Sequence, residues 1–194
     1  RFFCAVEAHG GKPVVNKNNN LNTQAHVVAD ALPTSHFVCM TRDPLYHAQS
    51  LWIARLVMYG APTTAYGIPD PGSAEIEAEN PVLGVCNQVI FHQRAILEQQ
   101  RRVGADRFWI VRYEDFCQDP EALLRRVSEE ILGRPYVPPP GFMPPPPFMP
   151  SRRQRLPDEL FERLRDTLER LRDAGDPSRA AAPRWAGARV PRRH

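Results

Sequence analysis

Arg42 and Ser50 are the residues of this chain best placed to do chemistry, standing eight apart in the stretch 37–50, FVCMTRDPLYHAQS. A guanidinium presents several N–H donors to an oxyanion, and a hydroxyl adds one more. Both reach one anion if the stretch is a strand, a turn and a helix. Phe37, Val38, Cys39 and Met40 read as a short buried parallel strand. Thr41 and Arg42 then lie at its carboxyl end, where open α/β sheets bind ligands. Asp43 can cap a helix and Pro44 can begin it, at a position where a missing N–H costs nothing. Ser50 falls about two turns into that helix. The same Arg-Asp-Pro also occurs as a purely structural turn, with Arg42 paired to a surface carboxylate and Ser50 a small helix residue.

Other candidates lie at comparable places. Phe108, Trp109, Ile110 and Val111 read as a second buried parallel strand, with Arg112, Tyr113, Glu114 and Asp115 at its carboxyl end. Lys17 precedes an Asn-rich turn, and Arg152, Arg153 and Arg155 cluster before a C-terminal helix.

These blocks together carry a resemblance. Arg42-Asp43-Pro44 with Ser50 resembles the 3′-phosphate-binding motif of sulfotransferases that use 3′-phosphoadenosine 5′-phosphosulfate (PAPS). Residues 109–127, WIVRYEDFCQDPEALLRRV, resemble the segment of that family in which a strand, Tyr-Glu-Asp and a helix follow one another. Upstream, Lys17-Asn18-Asn19-Asn20, a helix and Leu32-Pro33 are similar to the lysine-containing segment that precedes the phosphate motif. The three blocks, in order, cover about residues 12–132.

The resemblance implies an α/β fold of three layers, α/β/α around a parallel sheet, the P-loop NTPase-like sulfotransferase fold. It implies transfer of a sulfuryl group from PAPS to a hydroxyl or amine. Arg42 and Ser50 would hold the 3′-phosphate, Tyr113 would approach the adenosine, and Lys17 would be the catalytic lysine steadying the transferring group. Arg153, within its basic cluster, would close over the 3′-phosphate, while Glu114 and Asp115 buttress the turn. The general base stays open, with His9, His47 and Glu7 as candidates, because Asn19 stands about where the small-molecule branch has a catalytic His. The acceptor also stays open among saccharide, lipid and small alcohol.

Members of this family begin with a strand and a P-loop-like turn that cradles the 5′-phosphosulfate on backbone N–H groups. His9-Gly10-Gly11-Lys12-Pro13 does not supply it, since a P-loop runs GxxxxGK[ST] between a strand and a helix and Lys12 is followed by Pro13. The expectation is an N-terminally incomplete fold, either a fragment of an enzyme or an inactive remnant that binds a nucleotide or a partner. A nucleotide or sugar kinase is disfavoured, because no Walker lysine or magnesium-holding Ser/Thr is present.

The elements that must position these residues follow from periodicity and punctuation. Val14-Val15-Asn16 reads as a strand-like approach to Lys17, and a helix is expected over about 23–31, stopping before Pro33. The helix after Pro44 runs to Tyr59, and the Gly- and Pro-rich stretch to about Ala74 reads as a mobile substrate loop in which Tyr66 is a candidate acceptor contact. Asn80-Pro81 opens an amphipathic helix to about Val103, stopped by Gly104 and read as scaffold. A further helix is expected from Asp119-Pro120 to Leu132. Nine of the sixteen residues at 135–150 are Pro, which excludes helix and central strand and gives an extended linker. Phe142, Met143, Phe148 and Met149 interrupt it and are expected to dock on the body. Leu160, Phe161, Leu164, Leu168 and Leu171 form the stripe of a last helix. The domain reading is a core at 1–134, a Pro-rich linker at 135–150, a basic segment and amphipathic helix at 151–174, and a disordered tail at 175–194.

Composition bounds the rest. The chain's 194 residues, 42% hydrophobic, can build one real core. No apolar run reaches about 18 residues and no leader is visible, which makes a cytoplasmic protein the default. The formal charge of +3 is split, with twelve Arg against seven acidic residues from Ser151 onward. Without interleaved aromatics or a recognisable module, that basic end does not read as a nucleic-acid site. The four Cys lack CxxC spacing and the six His lack HxxxH or HExxH spacing, so reduced thiols and no metal are expected.

Overall fold

A computed structural model describes residues 2–175. The elements are α1 (Phe2–Gly10), α2 (Leu21–Ala31), β1 (Phe37–Thr41), α3 (Pro44–Tyr59), α4 (Ala74–Glu79), α5 (Pro81–Val103), β2 (Phe108–Arg112), α6 (Tyr113–Gln118), α7 (Pro120–Arg126) and α8 (Asp158–Gly175). From residue 176 on, the tail expected at 175–194 lies outside the described residues.

The two strands pair in parallel, with Phe37 opposite Phe108 and Thr41 opposite Arg112. They therefore end level. The residues that follow, Arg42 and Tyr113, are delivered to the same edge of the sheet. One sheet face is apolar, where Phe37 and Phe108 stack with ring centroids 5.9 Å apart and pack with Ala25, Ala29 and Ile96 from α2 and α5. On the other face the Arg126 guanidinium lies 3.9 Å from the Trp109 ring centroid. The architecture is mixed α/β with a two-stranded parallel sheet among the described residues.

Helix α5 joins the two halves of the core because 23 residues at about 1.5 Å each span both. Its carboxyl half serves the sheet, and its amino half packs Val82, Val85, Cys86, Val89 and Ile90 against α3 and α8. From α8 come Phe161, Leu164 and Leu168, all buried. Burying one such side chain contributes about 1.5–3 kcal/mol. The apolar stripe read in 160–171 is what docks α8.

Several expectations change. Strand β1, expected to be buried, is covered on one side: Phe37 is in the core, whereas Val38 and Met40, which alternate to the opposite face, are each 42% exposed. Val14–Asn16 form no strand, and Val15 is 92% exposed, because Pro13 and the Asn run leave it no neighbour to pair with. Helix α2 begins at Leu21 rather than Thr23. A short helix, α4, occupies 74–79 where only the end of a loop was expected. The helix expected to Leu132 turns π-helical over Val127–Ile131 after α7. The stretch 135–150 has no regular structure. The docking expected of its hydrophobics is partial: Phe148 stacks edge-on to Tyr113 and Phe116 yet stays 42% exposed, and Phe142, Met143 and Met149 are exposed.

The loop 60–73 is also better anchored than its composition suggests. Gln88, fully buried on α5, donates both amide protons to it, to Tyr66 O and Ile68 O, each at 2.8 Å. Tyr66 therefore serves the loop through its backbone.

Candidate functional site

The site begins with the turn after β1. Asp43 caps α3, its Oδ1 accepting from Leu45 N at 2.9 Å and Tyr46 N at 3.5 Å, with Pro44 at the first helical position. Glu114, 3% exposed, accepts the Asp43 N–H at 3.0 Å through Oε1, while its Oε2 is buried without a partner among the described residues. One carboxylate thus ties the end of β2 to the turn that aims Arg42.

Arg42 and Ser50 meet. Arg42 Nη1 donates to Ser50 Oγ at 3.4 Å, and the Ser50 hydroxyl donates to Tyr46 O at 2.8 Å. The guanidinium lies 5.4 Å from the Tyr113 ring centroid and 5.9 Å from that of Tyr46. Its Nη2 donates to the backbone carbonyl of Ser151. Among the described residues no carboxylate forms an ion pair with Arg42. The structural-turn reading required such a carboxylate. A half-buried guanidinium held by a hydroxyl, two aromatic rings and a carbonyl keeps its charge available for an anion.

The other expected residues distribute unevenly. Tyr113 joins the cluster, and its phenol is raised from its ordinary pKa, chiefly by a hydrogen bond with Cys117. Arg153 is near it through the backbone: its carbonyl accepts from Gln49 Nε2 at 3.0 Å, and its side chain is exposed. Lys17 is exposed in the irregular segment before α2 and makes no hydrogen bond to the cluster among the described residues.

His47 and His92 form a second feature beside the cluster, with ring centroids 6.3 Å apart. Burial, then the charges of His92 and Arg42, push His47 down to about 4. It is therefore neutral at pH 7. His92, also lowered by burial, donates from Nε2 to Ile68 O at 3.0 Å and accepts at Nδ1 from Asn22 Nδ2 at 2.6 Å. It links α2 to the loop 60–73.

Gln49 escaped the sequence reading. It is 2% exposed, and it sits in a stripe otherwise made of Leu45, Trp52 and Ile53, which pack on the helical core. A lone amide in an apolar stripe was the available signal, since a buried amide needs partners. All four cysteines are free. Among the described residues no group of three or more His, Cys, Asp or Glu is placed to hold a metal ion. No helix there is long and apolar enough to cross a membrane. A cavity of about 520 Å³ lined by Ser128, Leu132, Arg134 and Tyr136 contains none of the site residues.

The arginine at the carboxyl edge of the parallel sheet is thus bonded to a serine two turns into the next helix. The chain belongs to the sulfotransferase family, which matches it over residues 2–138. Among curated relatives it resembles the omega-hydroxy-beta-dihydromenaquinone-9 sulfotransferase Stf3 of Mycobacterium bovis and that of Mycobacterium tuberculosis. Identity to each is 24% over 131 residues, covering 68% of this chain and 31% of the relative. The aligned part of the chain thus spans about a third of the length of these relatives. No solved structure matches it.

Proposed function

We propose that the chain forms the 3′-phosphate-recognising part of a sulfotransferase that takes PAPS as donor, within the three-layer P-loop-like frame of the family. The observation that carries this reading is Arg42, bonded to Ser50, faced by Tyr46 and Tyr113, and free of any carboxylate among the described residues. Arg42 and Ser50 hold the 3′-phosphate, which sets the donor apart from ordinary adenine nucleotides. Tyr113 meets the adenosine and Arg153 adds charge from the C-terminal side.

PAPS supplies the sulfuryl group. In the transfer the acceptor oxygen forms a new S–O bond while the S–O bond to the nucleotide's 5′-phosphate breaks, and the acceptor's proton passes to a base. Positioning and neutralisation of the leaving charge are the protein's share. Lys17 is the residue we assign to that charge. Of the three candidate bases, His47 is neutral and close enough to Arg42 to feel its charge, whereas Glu7 accepts the Val14 N–H at 3.1 Å. The mycobacterial relatives are named for an omega-hydroxy acceptor. We accordingly favour a hydroxyl on an apolar body over a saccharide or a small alcohol.

One observation favours a second reading, a remnant that binds nucleotide without transfer: Lys17 is exposed and, among the described residues, makes no hydrogen bond to the Arg42 cluster. Calorimetric titration addresses the shared step. 3′-phosphoadenosine 5′-phosphate (PAP) should bind and adenosine monophosphate (AMP) should bind at least tenfold more weakly, with the difference abolished in Arg42→Ala, since a hydrogen bond to a charged group contributes about 1.5–3 kcal/mol. Equal binding of the two nucleotides by the folded wild type would overturn the reading.

A further inference from the structure

We propose that Gln49 is a positioning residue for the anion site, holding the segment 148–156 as a strap whose arginines then face the 3′-phosphate. The inference rests on the nucleotide reading above and goes beyond it, because it assigns the site's C-terminal wall to one buried amide on α3.

Four anchors fix the strap. At one end the Phe148 N–H donates to Cys117 O at 2.8 Å, and its ring packs edge-on to Tyr113 and Phe116. Next, the Ser151 carbonyl receives Arg42. Then Gln49 grips the backbone twice, Nε2 donating to Arg153 O at 3.0 Å and Oε1 accepting from Arg155 N at 2.7 Å. At the far end Leu156 is buried beside Phe161 in the helical core.

The Gln49 grip differs from the others in kind. A buried amide that bonds the C=O and N–H of residues two apart imitates a neighbouring strand, so it fixes register as well as proximity. Gln49 also directly precedes Ser50 on the same helix, so the strap's register is set relative to Ser50 and Arg42 by rigid α3 backbone. Arg152 and Arg153 follow Ser151 within two residues, about 7 Å of chain, and both are exposed. Arg42, Arg152 and Arg153 are thereby kept on one short stretch of surface. Like charges gathered there repel one another until an anion neutralises them. A carbonyl is a weak partner for Arg42, and a phosphate oxygen can replace it.

The test uses Gln49→Met, which keeps the side chain's length and removes both hydrogen bonds, on the full chain with PAP and AMP as probes. PAP affinity should fall about tenfold while AMP affinity stays within twofold. Trypsin should cut after Arg152 and Arg153 faster than in the wild type, while the chain still unfolds in one cooperative transition. The double variant Arg152→Ala/Arg153→Ala, on exposed positions that leave the core intact, should also weaken PAP about tenfold. Combining it with Gln49→Met should add less than a further twofold, because both act through the same arginines.

A PAP-to-AMP ratio unchanged in Gln49→Met, with Arg42→Ala still losing PAP, overturns the positioning role and leaves the nucleotide reading standing. Losses that multiply to about a hundredfold in the combined variant also overturn it. Absence of any PAP preference in the wild type removes the nucleotide reading and this inference with it.

Discussion

Two arginines, Arg42 and Arg55, stand thirteen residues apart on either side of helix α3's first three turns, and their surroundings are opposite. Arg55 is fully buried and answered by groups from three elements: Glu77 Oε1 at 3.4 Å, Gln88 Oε1 at 2.8 Å and Pro62 O at 3.0 Å. Glu77 is itself held by Ser73 Oγ at 2.9 Å. Burial pulls Arg55 below its usual pKa, and Glu77 opposes that pull. Arg42, by contrast, is half-buried and among the described residues is bonded to neutral groups, the Ser50 hydroxyl and the Ser151 carbonyl. A buried cation survives only when paired, so Arg55 is spoken for by the fold. Among the described residues Arg42 has no such partner, which is why we assign it, and not Arg55, to the anion. What neutralises each arginine differs, a distinction that residue type alone does not make.

That contrast can be broken at its strong end first. Arg55→Ala strands the Glu77 carboxylate in the interior and should cost about 3–5 kcal/mol of unfolding free energy in urea titration. Against a typical total of about 5–15 kcal/mol, that is a large share. The fraction still folded should keep its preference for PAP over AMP, and a selective loss of PAP would erase the distinction. Next comes Gly84→Ala on α5, where an added Cβ would lie 2.6 Å from Glu77 Cγ and 3.0 Å from its Cα. Overpacking there should cost about 1–3 kcal/mol by pushing α4 and its carboxylate away from Arg55. Arg42→Ala should change stability by less than about 1 kcal/mol while removing PAP discrimination, the mirror image of Arg55→Ala.

An effect confined to acid pH, and absent at neutral pH, is expected from His47, which adjoins the Arg42 end. Its folded pKa, about 4, lies below the ordinary 6.5, so between those values the unfolded chain holds the extra proton. Stability from this group is present above pH 6.5 and is lost as pH falls towards 4, with a slope of at most about 1.4 kcal/mol per pH unit. His92 and Arg42 are the charged or titratable neighbours that act on it, both lowering its pKa. His47→Gln should flatten the slope in that window, and an unchanged slope would place the titration elsewhere.

Much of the frame was legible in local pattern. The strand at 37–41, the Asp43-Pro44 start of α3, the long α5 with its Gly104 stop and the stripe of α8 follow from side-chain type at fixed spacing. Helix α4 was not legible, since its Ala-Glu-Ile-Glu-Ala-Glu segment matters through one buried residue, Glu77, whose partner lies on α3. The loop 60–73 was misjudged for the same reason: Gly and Pro record turns, and its anchors sit on α5. Val14–Asn16 failed in the other direction, having strand-like residues and no strand to join.

The site divides along the same line. Sequence determined the strand, the capped turn and the helix that set Arg42 and Ser50 apart by two turns, because each step depends on contacts within about four residues. Only the tertiary structure decided that β1 and β2 end level, that Tyr113 faces Arg42, and that Gln49 grips a segment 104 residues away in the chain. Such contacts leave no periodic trace along the sequence. They exist because apolar burial of α3, α5 and α8 brings distant backbone close enough for a buried amide, which cannot stay unpaired, to find it.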